Sequence, residues 1–338
     1  MAAVRGGSRE LQEILKLVPK VSFAAAYGSA VIKQDGYAGS GMVDYIFAVD
    51  RPDQWHAENI RMNGFRHYSP LGALGGTGVA MIQKLGAGVY FNVPRLDHGE
   101  AKYAVIQTDA LCKELRGWNN LYLSGRLQKP VATLVPNADV DQAQAENLRA
   151  ALYSALVFLP ESFPDTQLYT AISSLSYMGD PRMTAGGEHP DKPQMIAQGQ
   201  ERAFTALYSN ALQLAEEAGV CAATSGGSGE AMMVEQDTSP AARARVYSSL
   251  PESVIQLTAS KLRGGGVGGV VSKGDARDFV AEAIERDPSQ ARPMLAHSIS
   301  AIVRPAAKVQ MVKGLFSFGA ATAAKYVAHK IKRTFDKR

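Results

Sequence analysis

The sequence contains little cysteine and no long apolar run. Cys112 and Cys221 are its only cysteines, so at most one disulfide can form, which fits a reducing compartment without proving one. No apolar run approaches the ~18–20 residues that a membrane-spanning helix requires. A disulfide-built secreted domain and a membrane-spanning chain are therefore not predicted.

Several motifs of metal-binding and catalytic proteins are also missing. The 6 histidines show no His-x3-His spacing, the cysteines form no Cys-x2-Cys pair, and neither GxxxxGK[ST] nor GxSxG occurs. Gly264, Gly266 and Gly269 match GxGxxG by letter, but a helical pattern and not a strand precedes them. The sequence thus predicts no zinc site, no P-loop and no dinucleotide site.

Charge is distributed unevenly along the chain. Residues 305–338 contain eight basic residues and one acidic residue, a net charge of +7, so the rest of the chain carries −3 within a total of +4. A mildly acidic body is not typical of a nucleic-acid-binding domain, and no nucleic-acid partner is predicted.

The pattern of apolar residues changes near residue 137. Up to that point β-branched and aromatic runs alternate with helical patterns, which predicts an α/β domain with a mixed sheet over residues 1–137. Residues 138–304 predict a mainly helical second domain, in which 241–259 and 290–301 are each read as one helix. Residues 305–338 form a separate tail. The predicted strands of the first domain are 21–27, 43–49, 88–92 and 102–108.

A glycine-serine turn and a strand carboxylate give the first functional signal. Gly28-Ser29 follows the first predicted strand, and Asp44 lies fifteen residues later in the second. Glycine lets backbone N–H groups approach an anion closely, and the Ser29 hydroxyl adds a donor. Asp44 can hold Mg²⁺ against the same triphosphate. This combination predicts nucleotidyl transfer, in which positioning and charge neutralisation supply most of the catalysis.

One element of the usual nucleotidyltransferase pattern is absent. A second carboxylate is expected two residues after the first, and Ile46 occupies that place. Asp50 points to the same sheet face, but six residues of straight strand put it roughly 20 Å from Asp44, too far to share a metal ion. Asp50 is expected to cap the end of the strand before Pro52.

Two further polar segments are candidates for binding phosphate. The segment 66–69 (Arg-His-Tyr-Ser) clusters hydrogen-bond donors after a helix, although a surface cluster of this kind is commonly structural. Residues 118–130 are dense in polar, aromatic and cationic groups, and Arg126 and Lys129 could meet a phosphate there. The same segment could equally be a loop that joins two domains.

The tail predicts a cationic amphipathic helix. Over 320–336 the apolar side chains fall on one helical arc and most basic ones on the other. Such a helix lies flat on an anionic membrane, each basic residue adding ~1 kcal/mol near the surface. The alternative is a helix packed on the protein with a frayed basic end. The residues expected to meet the membrane are Phe316, Lys325, Val327, Ile331, Lys332, Arg333 and Phe335.

Longer motifs are spread from about residue 10 to residue 318. The most specific is the segment Trp118-Asn119-Asn120-Leu121-Tyr122 with Gly125-Arg126-Leu127-Gln128-Lys129-Pro130. The others are Tyr27-Gly28-Ser29, Asp44-Tyr45-Ile46-Phe47, Val49-Asp50, Trp55-His56, His67-Tyr68-Ser69, Gly86-Ala87-Gly88-Val89-Tyr90, Leu159-Pro160-Glu161-Ser162-Phe163, Leu175-Ser176-Tyr177-Met178-Gly179-Asp180-Pro181-Arg182 and Ser300-Ala301-Ile302-Val303-Arg304-Pro305. Together these motifs resemble the mitochondrial phosphatidate cytidylyltransferase family.

The resemblance implies a fold, a reaction and a location. It implies a nucleotidyltransferase-fold domain, a winged-helix-like helical domain and a C-terminal membrane-binding helix. The implied reaction is Mg²⁺-dependent and makes CDP-diacylglycerol and pyrophosphate from CTP and phosphatidate. It would take place on the matrix side of the mitochondrial inner membrane and feed cardiolipin and phosphatidylglycerol synthesis. The short stretch before the first helix shows no persuasive transit peptide.

The family also suggests roles for individual residues. Asp44 is expected to be catalytic and to bind the metal, and Ser29 to be catalytic as well. The residues expected to bind the nucleotide are Gly28, Ser29, His67, Tyr68, Ser69, Asn119, Arg126 and Lys129. Two alternatives stay open on the sequence: a nucleotidyltransferase acting on a soluble acceptor, and a non-catalytic peripheral membrane scaffold in protein-import assembly.

Overall fold

The computed structural model describes residues 8–28, 30–32, 42–94, 101–184, 187–224, 232–264 and 273–318. A five-stranded sheet forms the centre of the first half. Its strands are β1 (Phe23–Tyr27), β2 (Val43–Val49), β3 (Tyr90–Asn92), β4 (Ala101–Gln107) and β5 (Ala132–Val135). They lie in the order β3-β4-β2-β1-β5, with β2 and β4 parallel and the other neighbours antiparallel. The predicted mixed sheet is confirmed.

Helices cover both faces of this sheet, because both faces of its strands are apolar. Along β2 the side chains alternate, so that Tyr45 and Phe47 enter one core and Ile46 and Ala48 enter another. Asp44, two residues before Ile46, therefore shares the Ile46 face. The helices of this half are α1 (Ser8–Lys16), α2 (Pro52–Asn63), α3 (Gly75–Gln83), α4 (Thr108–Gly117) and α5 (Ser124–Leu127).

The second half is mainly helical and adds a small sheet. Its first helix begins where the Asn137 side chain accepts hydrogen bonds from the N–H groups of Asp139 and Val140, which satisfies two unpaired donors. The three short strands β6 (Ser162–Pro164), β7 (Cys221–Thr224) and β8 (Met233–Gln236) pair in the order β6-β8-β7. The helices are α6 (Ala138–Phe158), α7 (Asp165–Leu175), α8 (Pro181–Thr184), α9 (Lys192–Gly199), α10 (Glu201–Glu217), α11 (Pro240–Ser248), α12 (Glu252–Leu262), α13 (Lys273–Arg286) and α14 (Ala291–Phe318).

Two helix predictions are wrong, and proline is involved in both. The predicted helix 241–259 is divided into α11 and α12, because Pro251 adopts an extended backbone (φ −57°, ψ 150°) at the start of α12. The predicted end of the last helix at residue 301 is also wrong, since α14 continues through Pro305. Ile302, Val303 and Ala306 are buried on either side of that proline, and this apolar contact offsets the lost hydrogen bond.

Helix α14 joins the second half of the chain to the first. The ammonium group of Lys313 donates hydrogen bonds to the carbonyl oxygens of Gln83, Leu85 and Val89 at 3.3, 3.0 and 2.7 Å. These carbonyls precede β3, so Lys313 fixes the end of the helix against the central sheet. Across the part of the chain described above, no helix is both long enough and apolar enough to span a membrane.

Replacing Lys313 by methionine is expected to lower the free energy of unfolding by about 2 kcal/mol, because buried carbonyl groups lose their donor. Burial lowers the pKa of Lys313 to about 8, so the folded protein loses this proton before the unfolded chain does. The destabilising effect of its desolvation is therefore relieved as the pH rises above 8. Urea unfolding measures the effect, with Lys308→Met, at an exposed position on the same helix, as the control. Equal losses of unfolding free energy in the two variants would contradict the role of Lys313 in fixing the helix.

Candidate active site

A turn and a carboxylate meet at one end of β1 and β2. Tyr27 on β1 lies directly opposite Asp44 on β2, so the next residue, Gly28, begins its turn beside the Asp44 side chain. Gly28 has φ +102°, a conformation open to glycine, and a Cβ atom there would lie 3.7 Å from Asp44 Oδ2. The Gly28 carbonyl accepts hydrogen bonds from the N–H groups of Val31 and Ile32, which returns the chain toward the sheet. Ser29 lies outside the described residues.

The Asp44 carboxylate is accessible and only loosely paired. Its side chain is 30% exposed, and Oδ1 lies 4.0 Å from the Nζ atom of Lys102, the residue opposite it on the parallel strand β4. Lys102 in turn lies 4.1 Å above the ring of Phe91 on β3. An exposed pair at this distance contributes little to stability, so Asp44 is available to a cation.

An apolar residue stands where the usual pattern has its second carboxylate. Ile46 is fully buried, and within the described ranges no three His, Cys, Asp or Glu side chains form a metal cluster. Asp50, at the far end of β2, accepts hydrogen bonds from the Ser22 and Thr108 hydroxyls at 2.8 Å. It links strand ends and does not cap the following helix, whose N-cap residue Arg51 makes no side-chain cap bond.

Arg126 on α5 supplies a cation above the turn. Its guanidinium carbon lies 4.7 Å from the centre of the Tyr27 ring, next to Gly28 in the chain. Burial lowers the pKa of the Arg126 guanidinium, but the coulombic influence of Tyr27, Tyr177 and Asp44 outweighs it, and the net shift is upward. Arg126 is therefore a permanent positive charge over the end of the sheet.

A buried glutamate holds the loop that precedes α5. The Glu114 carboxylate accepts hydrogen bonds from the N–H groups of Asn120 and Leu121 and from the Ser124 hydroxyl, the shortest of them 2.7 Å. Trp118 and Leu121 have φ of 55° and 53°, which non-glycine residues rarely adopt. Burial raises the pKa of Glu114 to about 7, although the hydrogen bonds oppose that shift. The loop thus depends on one carboxylate.

The second half of the chain contributes another cation to this region. Arg182, at the start of α8, binds Asp180 through its Nε and Nη2 atoms, the shortest contact being 2.6 Å. Tyr122 lies beside the sheet, with its ring centre 6.1 Å from that of Phe91 on β3. Burial raises the pKa of the Tyr122 hydroxyl, the charges of Arg182 and Arg126 lower it, and the carboxylates of Asp180 and Asp44 raise it. The candidate site is therefore formed by Gly28, Asp44, Tyr122, Arg126 and Arg182.

Comparison with known proteins agrees with this geometry. Residues 11–333 match the model of the family described as phosphatidate cytidylyltransferase, mitochondrial. The chain belongs to this family. Proteins of that name from Mus musculus and Bos taurus are 35% and 34% identical over 341 residues, 98% of this chain and 96% of each relative. The protein of that name from Schizosaccharomyces pombe is 32% identical over 93% of this chain and 80% of its own.

Lys129 lies deeper in this cytidylyltransferase-family chain than the sequence suggested. Its side chain is buried, and its ammonium group donates to the Gly125 carbonyl at 2.7 Å and to the Ser176 hydroxyl at 2.9 Å. Burial and the neighbouring Arg126 lower its pKa well below the usual range. Lys129 therefore connects α5 to the second half of the chain.

The structure separates His67 and Tyr68 from Asp44. His67 Nδ1 lies 2.9 Å from the hydroxyl of Tyr103, and Tyr68 bonds His56 and Asn59. Tyr103 belongs to the core on the Tyr45 face, whereas Asp44 shares the Ile46 face, so the sheet lies between them. The structure does not bring these two residues together with Asp44, and their polar atoms take part in a buried, non-local hydrogen-bond network. Their role in nucleotide binding stays a prediction.

Ser69 and Asn119 are also apart from the site. The Ser69 hydroxyl is buried and makes no hydrogen bond, next in the chain to Tyr68. Asn119 is exposed, accepts a bond from the Ser253 hydroxyl and lines a cavity of about 480 Å³ between α12 and α14. Neither this cavity nor one of about 610 Å³ beside α6 and α11 is lined by Asp44.

Sequence reasoning missed several residues of the site. Lys102 and Phe91 are brought to Asp44 by the parallel pairing of β2 with β4, which no local pattern reveals. Tyr122 and Arg182 both stand in motifs that carry the family resemblance, and that signal could have assigned them to the site. The predicted membrane-binding residues from Lys325 to Phe335 lie outside the described residues, and so does the side chain of Phe316.

Proposed function

We propose that this protein makes CDP-diacylglycerol and pyrophosphate from CTP and phosphatidate. The observation that carries the proposal is the contact between Gly28 and Asp44 on neighbouring strands, with Arg126 above them, in a chain of the phosphatidate cytidylyltransferase family. An anion-binding turn beside an accessible carboxylate is what a metal-bound triphosphate requires. The family supports neither a soluble acceptor nor a scaffold without activity.

The site offers a carboxylate ligand for a metal ion. The Asp44 side chain is accessible, and Mg²⁺ is commonly held by one or two carboxylates together with substrate phosphates. The space beside it, which a Cβ atom at residue 28 would enter, leaves room for phosphate oxygens. When bound, Mg²⁺ neutralises the charge that develops on the departing pyrophosphate.

The protein's own groups position the two substrates. The turn at Gly28 presents backbone to the triphosphate of CTP, and Ser29 is proposed to add its hydroxyl. Arg126 and Arg182 approach from opposite halves of the chain and attract the phosphates, one of them the monoester of phosphatidate. A monoester oxygen then attacks the α-phosphorus of CTP in line, the bond to the β-phosphate oxygen breaks, and pyrophosphate leaves.

The first half is proposed to be a nucleotidyltransferase fold and the second a winged-helix-like domain. The order of β1, the Gly28 turn and β2 supports the first assignment, and the three-stranded sheet among helices supports the second. The tail from residue 319 is proposed to bind an anionic membrane as a peripheral anchor. The relatives are named mitochondrial, and we place this chain on the matrix side of the inner membrane, supplying cardiolipin and phosphatidylglycerol synthesis.

Incubation of the purified protein with labelled CTP, phosphatidate vesicles and Mg²⁺ tests the function. Label should appear in extracted lipid as CDP-diacylglycerol, and chelation of Mg²⁺ should abolish it. Label in a water-soluble product formed from a non-lipid acceptor would favour the alternative enzyme class. Failure to bind CTP at all, with Mg²⁺ present, would overturn the catalytic assignment.

Arg126→Lys is expected to lower kcat/KM for CTP about tenfold to hundredfold, because lysine keeps the charge but loses the planar two-point contact with phosphate. Steady-state kinetics at fixed phosphatidate measures the effect. Arg116→Lys is the matched control, since Arg116 pairs with Glu146 on the surface at 2.9 Å and lies outside the site. Equal activity of the two variants would remove Arg126 from the site.

A further inference from the structure

We propose that α3 carries a second membrane-contact surface, formed by Leu74, Met81 and Leu85 and called here the Leu74 face. It would rest on an anionic bilayer beside the basic tail and hold the active site at the lipid surface. This inference rests on the proposed function, since it is the lipid substrate that makes a bilayer the relevant partner. The occupant proposed is the bilayer itself.

The three side chains are all exposed, and they lie in and directly beside α3. Met81 is within the helix, Leu85 follows it by two residues, and Leu74 precedes it, separated from the helical backbone by Gly75 at φ 69° and ψ 178°. The exposed fractions of Leu74, Met81 and Leu85 are 58%, 66% and 56%, whereas Val79 of α3 is fully buried. Isolated exposed apolar residues are ordinary, but several large ones close together indicate a contact surface.

A glycine between them brings Leu74 close to α3. A Cβ atom placed at Gly78 would lie 2.6 Å from the Cβ of Leu74, much closer than the ~5–6 Å between residues one helical turn apart. Leu74 therefore folds over position 78 of α3, three residues before Met81 in the same helix, and glycine leaves room for the leucine side chain there.

Charge around this face suits an anionic surface. No Asp or Glu occurs between Glu58 and Asp97, whereas Arg61, Arg66 and Lys84 fall in that interval and are exposed. Basic residues near an anionic membrane each contribute ~1 kcal/mol. An apolar row with cations around it is the pattern by which peripheral proteins bind such membranes.

The face also lies where the basic tail leaves the described part of the chain. The Leu85 carbonyl accepts a hydrogen bond from Lys313 at 3.0 Å, and Gly86 packs against Val309, both on α14. Met311 and Val312 on the same helix are 44% and 54% exposed. Six residues after Val312 the helix ends at 318, and the basic amphipathic segment follows directly in the sequence. The two apolar surfaces are therefore neighbours.

A second copy of the chain is a poorer occupant. In a symmetric dimer the same surface meets itself, so Arg66 and Lys84 of one copy would face those of the other. Like charges brought together in this way are unfavourable, and no acidic residue in the interval compensates them.

Fluorescence tests whether the face enters the bilayer. Both native tryptophans, Trp55 and Trp118, are buried, so Leu85→Trp adds an exposed probe. Vesicles of phosphatidylcholine and phosphatidylglycerol with brominated acyl chains should quench it, and should leave Leu214→Trp, a matched exposed position on α10, unquenched. A blue shift that depends on protein concentration without vesicles would instead indicate a dimer. A blue shift without vesicles that is lost on deleting 319–338 would indicate the chain's own tail. Either result would overturn the proposal.

A double variant measures the contribution of the face. Met81→Ser with Leu85→Ser should reduce partitioning into the same vesicles about tenfold, which corresponds to ~1.4 kcal/mol. Met195→Ser with Leu214→Ser, at 45% and 48% exposure, is the matched control and should partition like the parent. Equal partitioning of both variants would overturn the proposal.

A soluble substrate separates this inference from the proposed function. With a short-chain phosphatidate below its micelle concentration, the Met81→Ser, Leu85→Ser variant should turn over CTP at the parent rate, while its rate on vesicles falls. Loss of activity on both substrates would place the effect in folding and count against a membrane role. If the parent turned over CTP with neither phosphatidate substrate, the proposed function would be refuted. The quenching experiment would still test the membrane contact of the Leu74 face independently.

Discussion

Asp44→Asn is expected to lower kcat by about 10³-fold or more, because it removes the charge that holds Mg²⁺ against the triphosphate, a contribution of several kcal/mol. The fold should be unaffected. Within the described part of the chain, the ion pair lost is the 4.0 Å contact with Lys102, and both side chains of that pair are partly exposed. Formation of CDP-diacylglycerol from labelled CTP, followed over a range of Mg²⁺ concentrations, measures the effect.

Asp50→Asn provides the control for this experiment. Asp50 lies on the same strand and face, but its carboxylate is already bonded by Ser22 and Thr108. Its replacement is expected to lower stability and to leave the dependence of activity on Mg²⁺ unchanged. If Asp44→Asn kept the parent's activity, or if Asp50→Asn alone shifted the Mg²⁺ requirement, the metal site would have been placed at the wrong end of β2.

Glu114→Ala is expected to lower the free energy of unfolding by about 3 kcal/mol, since two backbone N–H groups and a hydroxyl lose a buried acceptor. Activity should fall as well, because the strained loop at Trp118 and Leu121 positions Tyr122 and Arg126. Chemical denaturation and CTP kinetics measure the two effects. Glu146→Ala, which removes only an exposed ion pair, is the control and should change stability by less than ~1 kcal/mol.

The same residue predicts a pH dependence of stability. Burial raises the pKa of Glu114 from 4.5 to about 7, so between these values the folded state binds more protons than the unfolded chain. The contribution of Glu114 to the free energy of unfolding should therefore be fully present below pH 4.5, and about 3 kcal/mol of it should be lost as the pH rises through 7. The Glu114→Gln variant, which does not titrate, should lack this slope. Parallel slopes for parent and variant would assign the effect to another group.

Local patterns predicted the strands of the sheet and singled out Gly28 and Asp44. The bounds of β2 follow from an apolar run, and Gly28 and Asp44 stand out because a turn and a strand carboxylate are both readable from neighbouring residues. The predicted strands 88–92 and 102–108 correspond to β3 and β4, and the change of pattern near residue 137 coincides with the start of α6. Elements with strong periodicity or a capping residue are thus predictable from sequence.

The remaining parts of the site depend on pairing between distant segments. Lys102 faces Asp44 only because β2 and β4 run parallel in one register, and Arg182 arrives from the second half of the chain. The surroundings of His67 depend on the same kind of pairing, since its partner Tyr103 lies 36 residues away in the chain, in the core on the Tyr45 face of the sheet. Alternation along β2 identified the face of each strand residue but could not place a residue from a loop.

Helix α14 sets the separation between the two halves of the molecule. Ser300 of α14 packs against Gly179, which lies three residues before Arg182. Beyond Pro305, Val309 of the same helix packs against Gly86, which precedes the strand that contains Phe91. Nine residues of helix span about 14 Å. Helix α14 therefore fixes the distance between the Gly179 segment of the second half and the Gly86 segment of the first half. A change in their separation has to bend it at Pro305, where a backbone donor is missing.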